Sequence, residues 1–577
     1  MGNYYSSILP QQNKRKKIFD LVNQFKLGID LVINPQEQKY LAELNLIAGR
    51  RAKISTAYAA AVEYYEFARK LLANHHWQAS YNLMLAIYTE ATEAAYLNTN
   101  FEQMEELSKI VLNQAKNLWD IIPIYEIKIQ ACIAQNQLRL GLDTALVILH
   151  QLGIDLPNQP IYQDVNQALE KTSLILGEKN TAEIIDLPVM TDIRAQAAMR
   201  ILASMFGAAY NGCPEMLPLT ICEQVNLSIQ YGNTALSAFA YTSYGLILCA
   251  FTGAVETSYK FGQLGLNLME KFAAQQLHAK IEAVFNNCIR HWQEPLKATL
   301  TSFLQGYQSG LETGDLEWAV WCIFGYSFHS YCSGKELTAL EQELATYSKA
   351  IAQLKQTTAL NYQKTYYQAT LNLLGFSETP FLLVGDVYNE DEMLPQHQAV
   401  NDRPAVYHAK INKIILCYLF GEYQQAIAEA EIATEYLDGV PGLFVSVLLP
   451  FYDALAQLAI FNQIAEPEAS AILERVQLHQ QKLQQWADLV PTNHLHKFHL
   501  VEAELCRVLG KPYAAMELYD RAIAVAKENH YIQEEALANE LAAKFYLERH
   551  KEKNRRSICR KPTIAMLIGV RQPKLMI

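Results

Sequence analysis

Residues 421–437 read GEYQQAIAEAEIATEYL, and residues 510–526 read GKPYAAMELYDRAIAVA. A glycine opens each segment, and small residues follow at +5 and +12: Ala426 and Ala433 after Gly421, Ala515 and Ala522 after Gly510. Positions seven apart share one face of a helix. Small side chains there let the second helix of a hairpin press close against its neighbours. Gly253 opens a third copy, followed by Ser258, Gly262 and Gly265. The N-terminal version is Ala61, Tyr65 and Ala68, with Gly49 upstream. This small–large–small spacing follows the logic of tetratricopeptide repeats.

The same ruler places reversals near Thr56, Asn98, Asn136, Gly177, Gly212, Gly253, Gln293, Gly334, Gly375, Gly421, Asn462, Gly510 and His550. They recur about every 41 residues, longer than the standard unit of about 34. Each unit holds two helices. The expected fold is therefore all-α: an α-solenoid of antiparallel helix hairpins in degenerate tetratricopeptide-like repeats. Composition agrees, with 25 glycines and 19 prolines in 577 residues. That is too few turn-formers for a strand-rich sandwich or barrel. The expected organisation is an irregular lead at 1–16, the solenoid at 17–553 and a basic tail at 554–577. Residues 155–163 and 385–395 read as surface loops within it.

Charge narrows the partners. The chain carries 48 basic and 59 acidic residues, a net of −11, so no nucleic acid is expected. The tail carries Arg555, Arg556, Arg560, Lys561, Arg571 and Lys574 and no acidic residue. It has no helical period, and reads as frameshifted or disordered sequence. A slip there would leave the last helix with an uncovered apolar stripe of Ala538, Leu541 and Phe545. The ten cysteines stand singly, with no CxxC pair, as buried thiols do in a reducing compartment. The expected location is cytoplasmic. No run reaches about 18 consecutive apolar residues, so no membrane insertion is expected. Gly2 and the basic run 14–17 match the loose myristoylation pattern, which is short enough to arise by chance.

Several strings resemble one known segment: 44–58 (LNLIAGRRAKISTAY), 224–234 (QVNLSIQYGNT), 236–248 (LSAFAYTSYGLIL), 416–426 (LCYLFGEYQQA), 493–503 (NHLHKFHLVEA) and 535–547 (EALANELAAKFYL). They are similar to the TPR-like helical region of large bacterial signalling proteins. There a serine/threonine kinase domain and an AAA-type ATPase precede the array, and GAF sensor and histidine-kinase domains follow it. The resemblance covers roughly residues 17–553 and carries no catalytic motif. It implies a fragment that begins after the ATPase and ends before the GAF domain.

The chain has no GxxxxGK[ST] loop and no kinase glycine loop, HRD or DFG motif. No catalytic residue, cofactor site or metal site is assigned. His494, His496 and His499 cannot converge on one metal along a helix, and read as capping and surface histidines. His75 and His76 read as a loop. Asp386, Glu390, Asp391 and Glu392 lack a calcium-loop pattern and read as a solvated loop. Glu534 and Glu535 read as exposed. The aromatic run Trp318, Trp321, Phe324, Tyr326, Phe328, Tyr331 has helical spacing and reads as core; its other reading is a ligand-facing groove.

Two functions remain. One is a non-catalytic scaffold whose concave face binds protein or peptide, including neighbouring signalling domains. The resemblance implies that it links the ATPase to the GAF/histidine-kinase sensor. The other is a ligand- or peptide-sensing regulatory solenoid.

Overall fold

The computed structural model describes residues 18–26, 34–72, 77–465 and 467–549. The lead, His75, His76, His550, Cys559 and the basic tail lie outside them. The described residues are almost entirely helical and include no strand, only two isolated bridges at Val189–Asn233 and Val384–Asn389. Most helices pack chiefly on a neighbour in sequence, as in Ala235–Ile247 with Val255–Lys271 and Pro491–Val508 with Pro512–Glu528, while Tyr162–Leu176 reaches past its neighbours to Met216–Tyr231. The chain is an all-α solenoid of antiparallel hairpins.

The small residues lie where helices touch. Ala61, Tyr65, Ala68, Ala426, Ala433, Ala515 and Ala522 are all buried. A Cβ on Gly49 would sit 2.4 Å from the Tyr65 ring, and one on Gly265 would sit 2.6 Å from the carbonyl oxygen of Ala238. Gly253, Gly334, Gly421 and Gly510 take φ of 68°, 78°, 89° and 67°, the left-handed region that ends a helix before a reversal. Thr56 and Asn136 take the same conformation without being glycine.

Other positions differ from the ruler. Gly212 ends the helix Phe206–Gly212, where a Cβ would meet Leu138 at 2.8 Å. Gln293 lies between the short turns Arg290–Trp292 and Leu296–Ala298, and Asn462 lies in the turn Phe461–Gln463. The 385–395 segment is helical from Glu390, and Glu390 is buried and paired with Lys413 at 2.9 Å. The stripe Ala538, Leu541, Phe545 is covered, with Phe545 against Tyr519 at 5.5 Å between ring centres.

Helices alternate in character. Val255–Lys271, Tyr423–Thr434 and Pro512–Glu528 bury one stripe and expose the other. Ala235–Ile247, Leu316–Cys332, Arg403–Leu419 and Leu448–Ile460 are buried nearly all round. A helix apolar on every side has neighbours on every side. The expected open concave face is therefore largely filled.

The reason is closure over long sequence distances. In an open solenoid each repeat touches only its neighbours. Here the Tyr58 hydroxyl donates to Leu311 O at 3.4 Å across 253 residues, and Lys355 Nζ donates to Thr99 O at 3.0 Å across 256. Toward the other end, Trp292 Nε1 donates to Gly442 O at 2.9 Å and Lys297 Nζ to His530 O at 2.8 Å. The central hairpins are gripped from both sides.

Two helical stretches, Ala235–Thr252 and Phe444–Gln463, are long and apolar enough to cross a membrane by length and composition. The criterion of an unbroken apolar run missed them because Ser237, Thr242 and Ser243 interrupt the first, and Ser446, Asp453 and Gln457 the second. They are 61% and 78% buried by the rest of the chain, which accounts for their apolarity as core.

Candidate functional site

The polar groups that close the superhelix form the candidate site. Pro491 starts the helix Pro491–Val508, a position that needs no N–H. Asn493, in its first turn, is fully buried. Its Nδ2 donates to His291 O and Glu294 O, both at 2.9 Å. Its Oδ1 accepts from Leu296 N at 2.9 Å and from the Tyr531 hydroxyl at 3.0 Å. Two donors and two acceptors are the whole capacity of an amide side chain. Three of these four bonds join hairpins about 200 residues apart, and the fourth, from Tyr531, ties in the next hairpin 38 residues on.

Lys497 lies one turn on, on the same face. Its Nζ reaches Glu534 Oε1 at 2.9 Å and His496 Nε2 at 2.8 Å, and sits 4.6 Å from the centre of the Tyr531 ring. The Lys497 side chain is 0% exposed and that of Glu534 4%. Burial pushes the Glu534 carboxyl up, while the Lys497 ammonium pulls it back. His494 stacks against Phe444 and Trp292 at 5.6 and 5.9 Å. Burial, then the Lys497 charge, holds His494 and His496 well below the usual imidazole range. These histidines and Glu534 are thus interior groups, not the surface residues expected. His499 alone of the three remains half-buried.

A second polar contact joins the middle helices. The Tyr362 hydroxyl bonds to Asp402 Oδ1 and to Asn211 Oδ1, the latter at 3.3 Å across 151 residues. Burial raises the Asp402 carboxyl to about 7 and lowers His408 to about 3. Beside them the expected core aromatics assemble. Trp318 lies 5.3 Å from Phe206 and 5.2 Å from Phe239, and Trp321 lies 5.4 Å from Tyr362, between ring centres. Trp318, Trp321, Phe324, Tyr362 and His408 line a cavity of about 60 Å³. Trp318, Phe324, Tyr326 and Phe328 are buried, as the core reading has it.

A larger cavity of about 80 Å³ opens where the end of Leu316–Cys332 meets the start of Ile532–Glu548. Gln533 Nε2 donates to Cys332 O there at 2.8 Å, across 201 residues.

Among the described residues no group of three histidine, cysteine or carboxylate side chains is placed to hold a metal. The described cysteines are unpaired thiols, buried or half-buried. The buried titratable groups bond mainly to one another and to backbone, an arrangement that fastens hairpins together. Sequence reasoning missed Asn493, Lys497, Glu534, Tyr362 and Asp402. Two of them, Asn493 and Lys497, lie in the string 493–503 that carries the family resemblance.

No family model matches the chain. Hybrid signal transduction histidine kinase G of Dictyostelium discoideum is 22% identical over 400 residues, which is 62% of this chain and 11% of that protein. The chain thus corresponds to a small part of that relative's length. Among solved structures, yeast Tom70 aligns over 91% of this chain and 100% of its own, at 11% identity and a TM-score of 0.30.

Proposed function

We propose that this chain is a non-catalytic scaffold segment of a multidomain signal-transduction kinase, linking an ATPase module to a GAF/histidine-kinase sensor. The observation that carries this reading is the match over 400 residues to 11% of a hybrid signal transduction histidine kinase. The resemblance of strings such as 44–58 and 493–503 to the array between such modules points the same way. Closure adds a physical rationale. A superhelix fastened by Asn493, Lys497–Glu534 and Tyr362–Asp402 moves as one body, so displacement at one end reaches the other. Its protein partners meet the outer helices, since the concave side is filled.

The test uses the full-length parent. Histidine autophosphorylation is measured with the ATPase module intact and with its phosphate loop disabled. The reading predicts a difference between the two that disappears when Asn493→Ala loosens the array. An unchanged difference in the variant, or phosphotransfer by the isolated chain, contradicts it.

A further inference from the structure

The helix Pro35–Ile54 carries an apolar stripe that stays open among the described residues. Tyr40, Ile47 and Ile54 stand seven residues apart on one face and are 59%, 40% and 74% exposed. Single apolar residues on a surface need no explanation, but three in one register along a 20-residue helix form a seam. The helix packs on Ile18–Lys26, Tyr58–Leu71 and Tyr81–Leu97. It buries Leu41, Leu46, Ala48 and Ala52, which lie on its other sides.

Charge along the seam says what fits it. Glu43 and Arg50 are both exposed and stand seven residues apart on the same flank of the stripe. Glu43 lies four residues before Ile47, and Arg50 three after it. Take two antiparallel copies related by a two-fold axis at Ile47. Each flank then faces the same flank of the other copy. Tyr40 lies level with Ile54 of the second copy, and Glu43 lies beside its Arg50, once on each side of the axis. Arg50 Nε already donates to Glu90 Oε1 at 2.8 Å, yet the side chain is 48% exposed, and its fork has further N–H groups for a second carboxylate. A parallel pair would instead bring opposite flanks together and set Arg50 against Arg51, a like-charge contact. We propose that this face is a self-association site, on which a second copy of the chain docks antiparallel through Pro35–Ile54. Each seam is about 30 Å long, and three anchors per copy make a small interface. The dimer is therefore weak, with its midpoint at about 10–100 µM. This surface does not rest on the scaffold reading, and either can fail alone.

The test is sedimentation velocity on the full chain from about 1 to 200 µM, a range that brackets that midpoint. A monomer–dimer shift is expected. Ile47→Glu, which sets two carboxylates on the axis, is expected to raise the midpoint at least about tenfold. Its melting temperature is expected to be nearly unchanged, because the residue is exposed. Cysteine pairs read the geometry, since facing residues of helices about 8–10 Å apart come within disulfide reach. Over the background of the ten native thiols, Ile47→Cys is expected to link to itself under mild oxidation. Tyr40→Cys and Ile54→Cys are expected to link to each other in a mixture, and neither to itself. A monomer at every concentration, a midpoint unmoved by Ile47→Glu, or Tyr40→Cys linking to itself overturns the proposal. The first of these leaves the face to a different partner.

Discussion

Asn493 Oδ1 accepts the backbone N–H of Leu296 at 2.9 Å, across 197 residues of sequence. The bond joins a helix start in the last third of the chain to a short turn in the middle, and three further bonds from the same side chain surround it. Truncation strands all four partners in a dry interior, at about 1–3 kcal/mol for each that no water reaches. Asn493→Ala is expected to cost about 3 kcal/mol or more. Urea unfolding measures it, and a cost below about 1 kcal/mol would mean that the contact is dispensable.

The buried Lys497–Glu534 pair predicts an asymmetry. Glu534→Gln leaves an ammonium without its counter-charge and is expected to cost about 3–5 kcal/mol. Lys497→Met leaves a carboxyl that takes up a proton, and is expected to cost less. The double variant Lys497→Met, Glu534→Leu is expected to lie closer to wild type than Glu534→Gln does. Equal single-variant costs that add in the double would refute the pairing.

Helix contacts predict opposite signs for two glycines. A Cβ at Gly265 would lie 1.8 Å from Thr242 Oγ1 and 2.6 Å from Ala238 O, whereas one at Gly141 would meet only ordinary contacts from 3.4 Å outward. Gly265→Ala is expected to destabilise by about 1–3 kcal/mol. Gly141→Ala is expected to stabilise by about 0.5–1 kcal/mol through helix propensity. Their melting temperatures decide both.

Trp318 is 4% exposed and wedged against Phe206 and Phe239. Trp318→Ala is expected to cost about 3–5 kcal/mol. Unchanged melting with altered ligand binding would move the residue from core to groove.

Glu317 gives a pH dependence. Burial lifts its carboxyl to about 8, with Asp315 adding to the rise and Lys280 opposing it. Between the unfolded value near 4.3 and about 8, the native chain keeps a proton that the unfolded chain has released. This contribution to stability therefore falls as pH rises through that window, by about 1.4 kcal/mol per pH unit. Glu317→Gln has no such proton to lose. Its stability relative to wild type is expected to climb from pH 5 to 8, and a constant difference would show that Glu317 titrates normally.

The hairpins were legible because their signal is local. Gly421 with Ala426 and Ala433, and Gly49 with Tyr65, fix a reversal and a close approach within one or two helices. Closure was not legible. Asn493 and Glu534 occupy first turns of helices, with Lys497 one turn further on, where polar residues ordinarily face solvent, and the groups that bury them lie about 40 to 200 residues away. His494 and His496 misled for the same reason. The apolar all-round character of 316–332 did carry a trace of closure, since a helix with no polar face needs neighbours on every side.

The central claim is that the array is closed on itself, and small-angle X-ray scattering of the monomer tests it most directly. Compact scaling predicts a radius of gyration of about 25–28 Å. An open stack of about twelve hairpins, each advancing about 10 Å, would be about 120 Å long with a radius of gyration near 35 Å. A value near the first supports the clasped superhelix; a value near the second contradicts it.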